Sequence, residues 1–485
     1  MIRHQYPGPE TNRRGIILLL VAMLMPCFFG LLSLSVDLGQ ALEKHRQVQS
    51  TADAIAVSVV NRFDHGYRPS QLLAHANSVR SFHLPESTAL GWNLGAIDSV
   101  NNPPTSGSYA GNSSYYEVIL STPVTGLFAP VLGLSGSTRV TARAVAGLED
   151  SPVVETIVAL DPCGDPGIEL SGNAQLLIQG GILTNSGRGG VDQYGDPVNL
   201  GLSGNAVSLV GTSDVKAMAL SVRGGVSGLS NISNYVPDAP SPLRANIRRM
   251  LPDPLASLPI PSPSNTPSIT NWSSKQSSNN DSEISPGIYS DISNNPNRTL
   301  RLKPGVYVIS PLKKGDGLNI KGSLIGDNVM FYITSNNFIG HNYDALDGPV
   351  NPTVAIPVSE SDCALPPNLT GEFNPVFGAV NITSNGETIH LTGINDPSSP
   401  YNNMLFFQRR RNREEVNINP RGSIPSVVHG IIYAKWAPLS IGNNGVISLN
   451  NPVAVGSFDL GGGGQMLIIP NDVGWSLLQI SNLVE

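Results

Sequence analysis

The pentapeptide LSGNA occupies residues 170–174 and recurs unchanged at residues 202–206. Looser copies occur at residues 318–322 (LNIKG) and 439–443 (LSIGN). Each copy joins a short apolar strand to a corner that contains Gly, usually with Asn, and these residues accept left-handed backbone angles at little cost. The repeats therefore predict that short strands and tight corners alternate from Val153 nearly to the end of the sequence.

A second unit points to the same architecture. Ser285-Pro-Gly-Ile-Tyr289 and Lys303-Pro-Gly-Val-Tyr307 again combine a corner with an apolar strand. Such recurrence with varied turn lengths is typical of stacked coils, in which inward-pointing Ile, Leu and Val side chains pack against neighbouring coils. We therefore predict a mainly β chain with a right-handed parallel β-helix over residues 151–235 and 279–485. Antiparallel β-sandwiches, which also have short strands and many turns, remain the alternative.

Residues 236–278, between these two β-repeat sections, are rich in proline. The stretch Pro252-Asp-Pro-Leu-Ala-Ser-Leu-Pro259 is an example. Proline fixes its own backbone angle and has no amide hydrogen for a sheet ladder, so such a segment favours an extended conformation. We expect a strap or linker here between the two sections.

An uncharged apolar run, Gly15–Val36, lies near the N-terminus. At 1.5 Å per residue it is long enough to cross a hydrocarbon layer of about 30 Å. It is longer than the apolar region of a cleaved signal peptide, and no small-x-small cleavage site follows it. A slight bias of arginines before the run predicts that this single-pass anchor has its N-terminus inside. Residues 1–14 would be a cytoplasmic tail, and the bulk of the chain would be periplasmic or extracellular.

The anchor helix, residues 15–62, is expected to continue beyond the membrane. After Val36, apolar residues recur at three- and four-residue spacing and mark one face of an amphipathic helix: Leu38, Leu42, Val48, Ala52, Ile55, Ala56 and Val59. That face could pack on the chain's own membrane-proximal module or on another protein. We place a small α/β module at residues 63–150, with strands at residues 115–120 and 138–146.

The N-terminal residues resemble a known family. In order, they are Arg14-Gly15, the apolar run, Val36-Asp37-Leu38-Gly39, Arg46-Gln-Val-Gln49 and Thr51-Ala-Asp-Ala-Ile-Ala56. This order is similar to the N-terminal module of the TadG-like proteins of Flp (Tad) pilus assembly. The resemblance implies an inner-membrane location, pilus-assembly proteins as partners, and a C-terminal repeat domain.

The polar positions Asp37, Gln49 and Asp53 lie within the motifs that carry this resemblance. We predict that they contact assembly partners, and helix capping or surface solvation is the alternative. Prepilins carry Glu at the fifth position after the processed glycine, but the fifth residue after Gly15 is Leu20. We therefore expect neither a polymerising pilin nor cleavage of the anchor.

The charge balance excludes one class of partner. The chain has 29 basic and 36 acidic side chains and a formal charge of −7, which gives no electrostatic footprint for nucleic acid. Cys27 lies in the apolar run, so Cys163 and Cys363 could pair in an oxidising compartment, and this stays open. The sequence has no Cys/His cluster, and we expect no metal or cofactor.

An enzyme is the main alternative class, because parallel β-helices often host polysaccharide lyases or hydrolases. These need paired or clustered carboxylates, and the nearest set comprises Asp316, Asp327, Asp344 and Asp347, which we interpret as solvated turn residues. Many TadG-like proteins carry a von Willebrand A domain, but the segment Asp161-Pro-Cys-Gly-Asp165 lacks both hydroxyl ligands of its metal site. We expect a non-enzymatic envelope protein; a lyase, a hydrolase or a surface adhesin unrelated to pili remains the alternative.

One dense charge run, Arg409-Arg-Arg-Asn-Arg-Glu-Glu415, follows an apolar strand. We expect it to project as an exposed loop. Arg409, Arg410 and Arg411 are then candidates for binding an anionic envelope glycan or lipid headgroups, since guanidinium groups match the geometry of anionic oxygens. Simple solvation of the loop is the alternative.

Deleting residues 15–60 should release the chain from membranes, because the predicted anchor lies within that segment. Sedimentation of the membrane fraction after an alkaline wash measures this. A truncated chain that still sediments with membranes would contradict the anchor prediction.

Overall fold

A computed structural model of the chain describes residues 14–64, 69–83, 96–126, 137–150, 153–189, 203–245, 251–261, 272–273, 276–278, 280–336, 338, 375–422, 425–442, 445–469, 475 and 479–485. The chain divides into two compact units. Unit 1 comprises residues 1–149 and 480–485, and unit 2 comprises residues 150–479. The fold is mainly β with one long apolar helix near the N-terminus, as the sequence predicts.

Unit 1 combines two helices with a four-stranded sheet. Its elements in chain order are α1 (Arg14–Asp64), α2 (Pro69–His83), β1 (Ala96–Asn101), β2 (Tyr115–Thr125) and β3 (Ser137–Asp150). The fourth strand, Gln479–Leu483, lies beside β3. The predicted strands at 115–120 and 138–146 are confirmed. Residues 480–485, which we expected in the β-repeat section, belong instead to this unit.

The two halves of α1 have opposite environments. Residues of the apolar run are exposed, with Met23 at 71% and Phe29 at 63%. From Val48 onward the apolar face is fully buried against the sheet and α2, so the stripe packs on the chain's own module there. Leu38 and Leu42, by contrast, are both 56% exposed. The helix is long and apolar enough to cross a membrane.

Unit 2 begins with short strands that come in groups of three. The first section contains β4 (Glu155–Ala159), β5 (Ile168–Leu170), β6 (Gln175–Ile178), β7 (Gly181–Thr184), β8 (Val207–Leu209), β9 (Asp214–Ala217), β10 (Ala219–Val222), β11 (Val226–Ser227), β12 (Ile232–Asn234) and β13 (Leu243–Arg244). A 3-10 turn, Leu229–Asn231, precedes β12.

The later section continues the pattern and returns the chain to unit 1. Its strands are β14 (Trp272–Ser273), β15 (Gln276–Ser278), β16 (Ser282–Ile284), β17 (Gly287–Tyr289), β18 (Ile292–Asn294), β19 (Thr299–Leu302), β20 (Gly305–Ile309), β21 (Gly317–Ile320), β22 (Ser323–Gly326), β23 (Val329–Ile333), β24 (Ala379–Ile382), β25 (Ile389–Thr392), β26 (Met404–Gln408), β27 (Val416–Ile418), β28 (Ser426–His429), β29 (Ile431–Ile441), β30 (Val446–Leu449), β31 (Val453–Leu460), β32 (Gln465–Ile468) and β33 (Gln479–Leu483).

These strands form three parallel ladders, because most strands pair with the strand three positions later. The first ladder runs β14, β17, β20, β23, β26, β29, β31, β4, β7, β10, β13. The second runs β15, β18, β21, β24, β27, then the far ends of β29 and β31, then β5, β8, β11. The third runs β16, β19, β22, β25, β28, β30, β32, β6, β9, β12. All these pairs are parallel, so the antiparallel alternative is wrong for the described strands of these three ladders.

The order of the ladders differs from the order of the chain. The last strands of the later section, β31 and β32, pair with β4, β5 and β6, the first strands of the earlier section. The later section is therefore stacked directly beneath the section that precedes it in sequence. Inward-pointing residues of all three ladders form one continuous apolar core.

Aromatic columns lie on both sides of the first ladder. On the core side, Tyr289, Tyr307, Phe331 and Phe406 follow one another with ring centroids 6.1, 5.7 and 5.3 Å apart. On the outer side, Tyr332, Phe407 and Tyr433 do the same at 5.2 and 5.3 Å. The outer face of this ladder is thus apolar. It packs with residues 251–261, from the predicted Pro-rich linker, which we call the strap.

The glycine of LSGNA occupies a corner that requires its lack of a side chain. Gly172 has φ +71°, and a Cβ there would lie 2.5 Å from the carbonyl oxygen of Gly462 in the adjacent coil. Gly211 repeats the arrangement, since its Cβ would lie 2.7 Å from the carbonyl oxygen of Gly172. Both the backbone angle and the close stacking of corners exclude larger residues.

Gly172→Ala should destabilise unit 2 by about 2–4 kcal/mol, from left-handed strain plus the clash with the neighbouring corner. Guanidinium unfolding of the detergent-solubilised chain measures this. Gly386→Ala is the matched control, since Gly386 has φ +76° but nothing within 4 Å of a Cβ; it should cost only about 1 kcal/mol. Equal costs for the two variants would contradict the corner-stacking explanation.

Candidate functional site

The predicted partner-binding residues on α1 have different surroundings. Gln49 donates from Nε2 to Asp53 Oδ1 at 2.8 Å and to the backbone oxygen of Arg143, on β3, at 2.9 Å. Gln49 and Asp53 are half-buried and help to fasten α1 to its own sheet. Asp37 lies farther along α1 towards the apolar run, next to the exposed Leu38. A role for all three in partner binding stays a prediction.

A charged network also stabilises unit 1. Arg143 donates to Glu117 Oε1 at 2.6 Å, to Glu485 Oε2 at 2.8 Å and to the backbone oxygen of Ser106 at 2.6 Å. Burial of Glu117 opposes its ionisation, but hydrogen bonds from Thr105, Asn101 and Arg143 outweigh this and lower its pKa to about 2. The network links β2, β3 and the end of the chain.

The arginine run is not the projecting loop that the sequence predicts. Arg409 is 0% and Arg410 2% exposed, and Arg411 is half-buried. Arg409 donates from Nη1 to Ser335 Oγ at 2.8 Å, and its guanidinium lies over the ring of Phe377. The prediction of exposure is wrong for the first two arginines because neighbouring coils supply acceptors and aromatic faces that satisfy their charge.

Arg410 belongs to a buried cluster that holds the strap, here called the strap clamp: Asp253, Arg410, Tyr433 and Lys435. Arg410 Nη2 donates to the backbone oxygens of Leu255 and Leu258 in the strap, at 2.9 and 2.7 Å. Tyr433 donates its hydroxyl to Asp253 Oδ2 at 2.7 Å, and Lys435 Nζ lies 3.0 Å from the same oxygen. Burial, together with the charge of Asp253, raises the pKa of Tyr433 and keeps its proton in place.

The strap is fixed at its other end to the earlier section of unit 2. Asn185 donates to the backbone oxygen of Leu251 at 2.9 Å and accepts from its amide at 3.0 Å. Asn185 follows β7, whereas Arg410, Tyr433 and Lys435 belong to the later section. The strap therefore bridges two stretches of chain that are distant in sequence.

The candidate catalytic carboxylates do not form a pair among the described residues. Asp316 accepts from the amides of Leu312 and Lys313, both at 3.3 Å, as a turn residue does. Asp327 accepts from Thr392 Oγ1 at 3.1 Å at a corner between different strands. Asp344 and Asp347 lie outside the described residues.

Asp161 and Cys163 also have structural partners. Asp161 accepts from the amide of Cys163 at 2.9 Å, which agrees with a turn role. Cys163 is disulfide-bonded, and Cys363, with which pairing was left open, lies outside the described residues. In the part of the chain that the structure describes, no group of three or more His, Cys, Asp or Glu side chains could hold a metal ion.

Sequence reasoning missed a feature of the second ladder, a continuous polar column on its outer face. We call it the polar stripe, and its members, in ladder order, are Ser293, Asn319, Asn381, Asn417, Ser440, Asp459, Glu169, Ser208 and Ser227. Each is half-buried or exposed. Its signal was present in the sequence as apolar-polar-apolar triplets, such as LNI, VNI, LSI, FDL and IEL.

Two carboxylates lie side by side in the polar stripe. Asp459 and Glu169 are register partners on adjacent strands, which are about 4.8 Å apart. Burial raises the pKa of Asp459, and the negative charges of Glu169 and Glu415 raise it further, while a hydrogen bond from Ser440 opposes them. Within the described residues, Asp459 Oδ1 and Asn417 Oδ1 have no hydrogen-bond partner. The stripe is thus rich in acceptors.

Comparison with known proteins adds little. No family model and no curated protein matches the chain. Among solved structures, the competence-associated pilin ComZ from Thermus thermophilus matches 88% of this chain and 98% of its own length at 12% identity, with a TM-score of 0.26. A score that low supports no argument about fold or function, and the TadG-like resemblance stays a prediction.

Unit 1 should lose stability as the pH falls from about 5 towards 2. The pKa of Glu117 is lowered from 4.5 to about 2 in the folded chain, so its contribution is present above the unfolded pKa and disappears on acidification, by about 1–2 kcal/mol. Glu117→Gln should flatten this dependence. Chemical unfolding across the pH range measures it, with the more exposed Glu283→Gln as control. Equal acid sensitivity of E117Q and the parent would contradict the assignment.

Proposed function

We propose that the chain is a membrane-anchored, non-enzymatic protein of the cell envelope that assists assembly or anchoring of Flp-type pili. In this proposal α1 is a single pass through the inner membrane with its N-terminus inside, and unit 2 is displayed on the periplasmic or extracellular side. The observation that carries it is the division of α1. One half exposes apolar residues to what would be lipid, and the other half is fixed in unit 1.

We further propose that unit 2 is a right-handed parallel β-helix. Three observations support this architecture. The strands form three ladders, most strands pair with the strand three positions later in sequence, and the ladders share one core. Right-handedness follows from the strong preference of parallel crossover connections for that hand. A rigid solenoid is suited to display, because each coil is supported by its neighbours along the whole length.

The pilus assignment depends on the motifs around Asp37, Gln49 and Asp53 and needs a test of its own. Gln49 is engaged with β3, so position 37 is chosen for the test of partner capture. It lies at the point where α1 would leave the membrane, beside the exposed Leu38 and Leu42.

A photo-crosslinking residue at position 37 should capture a membrane protein of the pilus-assembly apparatus in the native host, and deletion of the gene should abolish pili. The same residue at the exposed position 175 on β6 is the control and should give no such product. Pili that persist in the deletion strain, with no pilus protein crosslinked at position 37, would refute the proposal.

A second candidate function, hydrolysis or elimination of a polysaccharide, is favoured by one observation. Asp459 and Glu169 are neighbouring carboxylates on an outer face, and the pKa of Asp459 is raised, as a general acid requires. Turnover of peptidoglycan glycans, chitin or cellulose that is lost in both Asp459→Asn and Glu169→Gln would establish this function and replace the non-enzymatic proposal.

A further inference from the structure

The polar stripe has a composition that restricts what could bind to it. Its members carry hydroxyl, amide and carboxylate groups only, without a basic or aromatic side chain. Hydroxyl and amide groups both donate and accept hydrogen bonds, whereas the two carboxylates only accept. A complementary partner must therefore be rich in hydroxyl or similar groups that also do both.

Charge at the centre of the stripe excludes anionic partners. Asp459 and Glu169 are adjacent, and Glu415 lies close enough for its charge to raise the pKa of Asp459. An additional negative group placed here would be repelled by all three carboxylates. Uronic acid polymers and phosphate-bearing chains are therefore poor candidates.

A folded protein is also a poor partner for this face. Specific protein interfaces usually have an apolar or aromatic centre with a polar rim, and the stripe has no such centre. An extended peptide strand binds best at the open edge of a sheet, where it gains backbone hydrogen bonds. The stripe lies on the face of its ladder, and the backbone groups of that ladder are already paired with neighbouring strands.

The shape of the stripe fits a long and narrow ligand. Its members are one residue wide and spaced by about 4.8 Å, so the column is roughly 40 Å long. The neighbours of every member except Ser227 are buried, as Val416 and Ile418 are beside Asn417, and this fixes the column in position. A linear ligand aligned with the ladder could meet a hydrogen-bonding group at each rung.

Two stripe oxygens lack donors in the described part of the chain. These are Asn417 Oδ1 and Asp459 Oδ1, on either side of Ser440. Polar atoms shielded from water in this way usually have a partner. The terminal torsions of Asn and Asp side chains are broad, so a small rotation would turn either oxygen towards a ligand hydroxyl.

We propose that the polar stripe binds an extended, uncharged, hydroxyl-rich polysaccharide lying along the second ladder. Ser and Asn residues exchange hydrogen bonds with sugar hydroxyls, and the carboxylates of Asp459 and Glu169 accept the strongest of them. Each rung contributes little by itself. Affinity therefore depends on the number of rungs that one polysaccharide molecule contacts. This activity is independent of pilus assembly and needs no turnover of the glycan.

The test measures binding of the detergent-solubilised full chain to cello- and chito-oligosaccharides of increasing length by calorimetry. Affinity should rise with oligomer length. Asn381→Ala and Asn417→Ala should each weaken binding of the longest oligomer by about three- to tenfold, the effect of one net hydrogen bond. Ser448→Ala and Lys216→Ala, at outward positions of the third ladder, should leave it unchanged.

Several outcomes would overturn the inference. They are an absence of binding to both neutral oligomer series, affinity that does not depend on length, and equal losses in the stripe and third-ladder variants. Stronger binding of polygalacturonate, or binding of polylysine alone, would also overturn it, because these would assign the stripe to an anionic polymer or a basic protein. Unchanged thermal unfolding of each variant ensures that lost affinity reflects the stripe and not misfolding.

Discussion

Burial of the inward side chains of very short strands is the constraint on which unit 2 depends. A strand of three or four residues can bury only one or two apolar side chains, which is far too little for it to be stable alone. Each strand here is stabilised because an equivalent strand lies above it and another below, so its side chains contribute to a continuous core. The corners must then stack as closely as the strands. This explains why Gly172, Gly211 and Gly462 meet at successive levels without side chains between them.

The outer faces of the ladders differ in the side chains that they carry, although their inner faces are all apolar. The first ladder carries aromatic residues outward and is covered by the strap, which the clamp of Asp253, Arg410, Tyr433 and Lys435 secures with buried charge-assisted hydrogen bonds. A buried pair of this kind gives little net stability, but removal of one partner leaves the other charge uncompensated. The clamp therefore specifies where the strap lies. The second ladder carries only polar groups outward along the stripe.

Local features of this fold could be predicted from the sequence because local residues determine them. The apolar run, the amphipathic face of α1, the glycine corners and the proline-rich strap are each encoded in a short stretch. Long-range arrangements were not accessible. Arg410 lies within a run of arginines in sequence, and its acceptors are two carbonyl oxygens of the strap, more than a hundred positions earlier, and the hydroxyl of Tyr433 on β29. The same holds for residues 480–485. Their place beside β3 depends on strands that lie more than three hundred positions earlier in the sequence.

The inverted stacking of the two sections has a consequence for biosynthesis. The strands β4, β5 and β6 emerge early, yet β31 and β32, which pair with their lower rim, are among the last to be made. Throughout elongation that rim presents unpaired amides and carbonyls, a surface that invites pairing with other chains. That edge consequently stays open to such pairing until β31 and β32 have been synthesised.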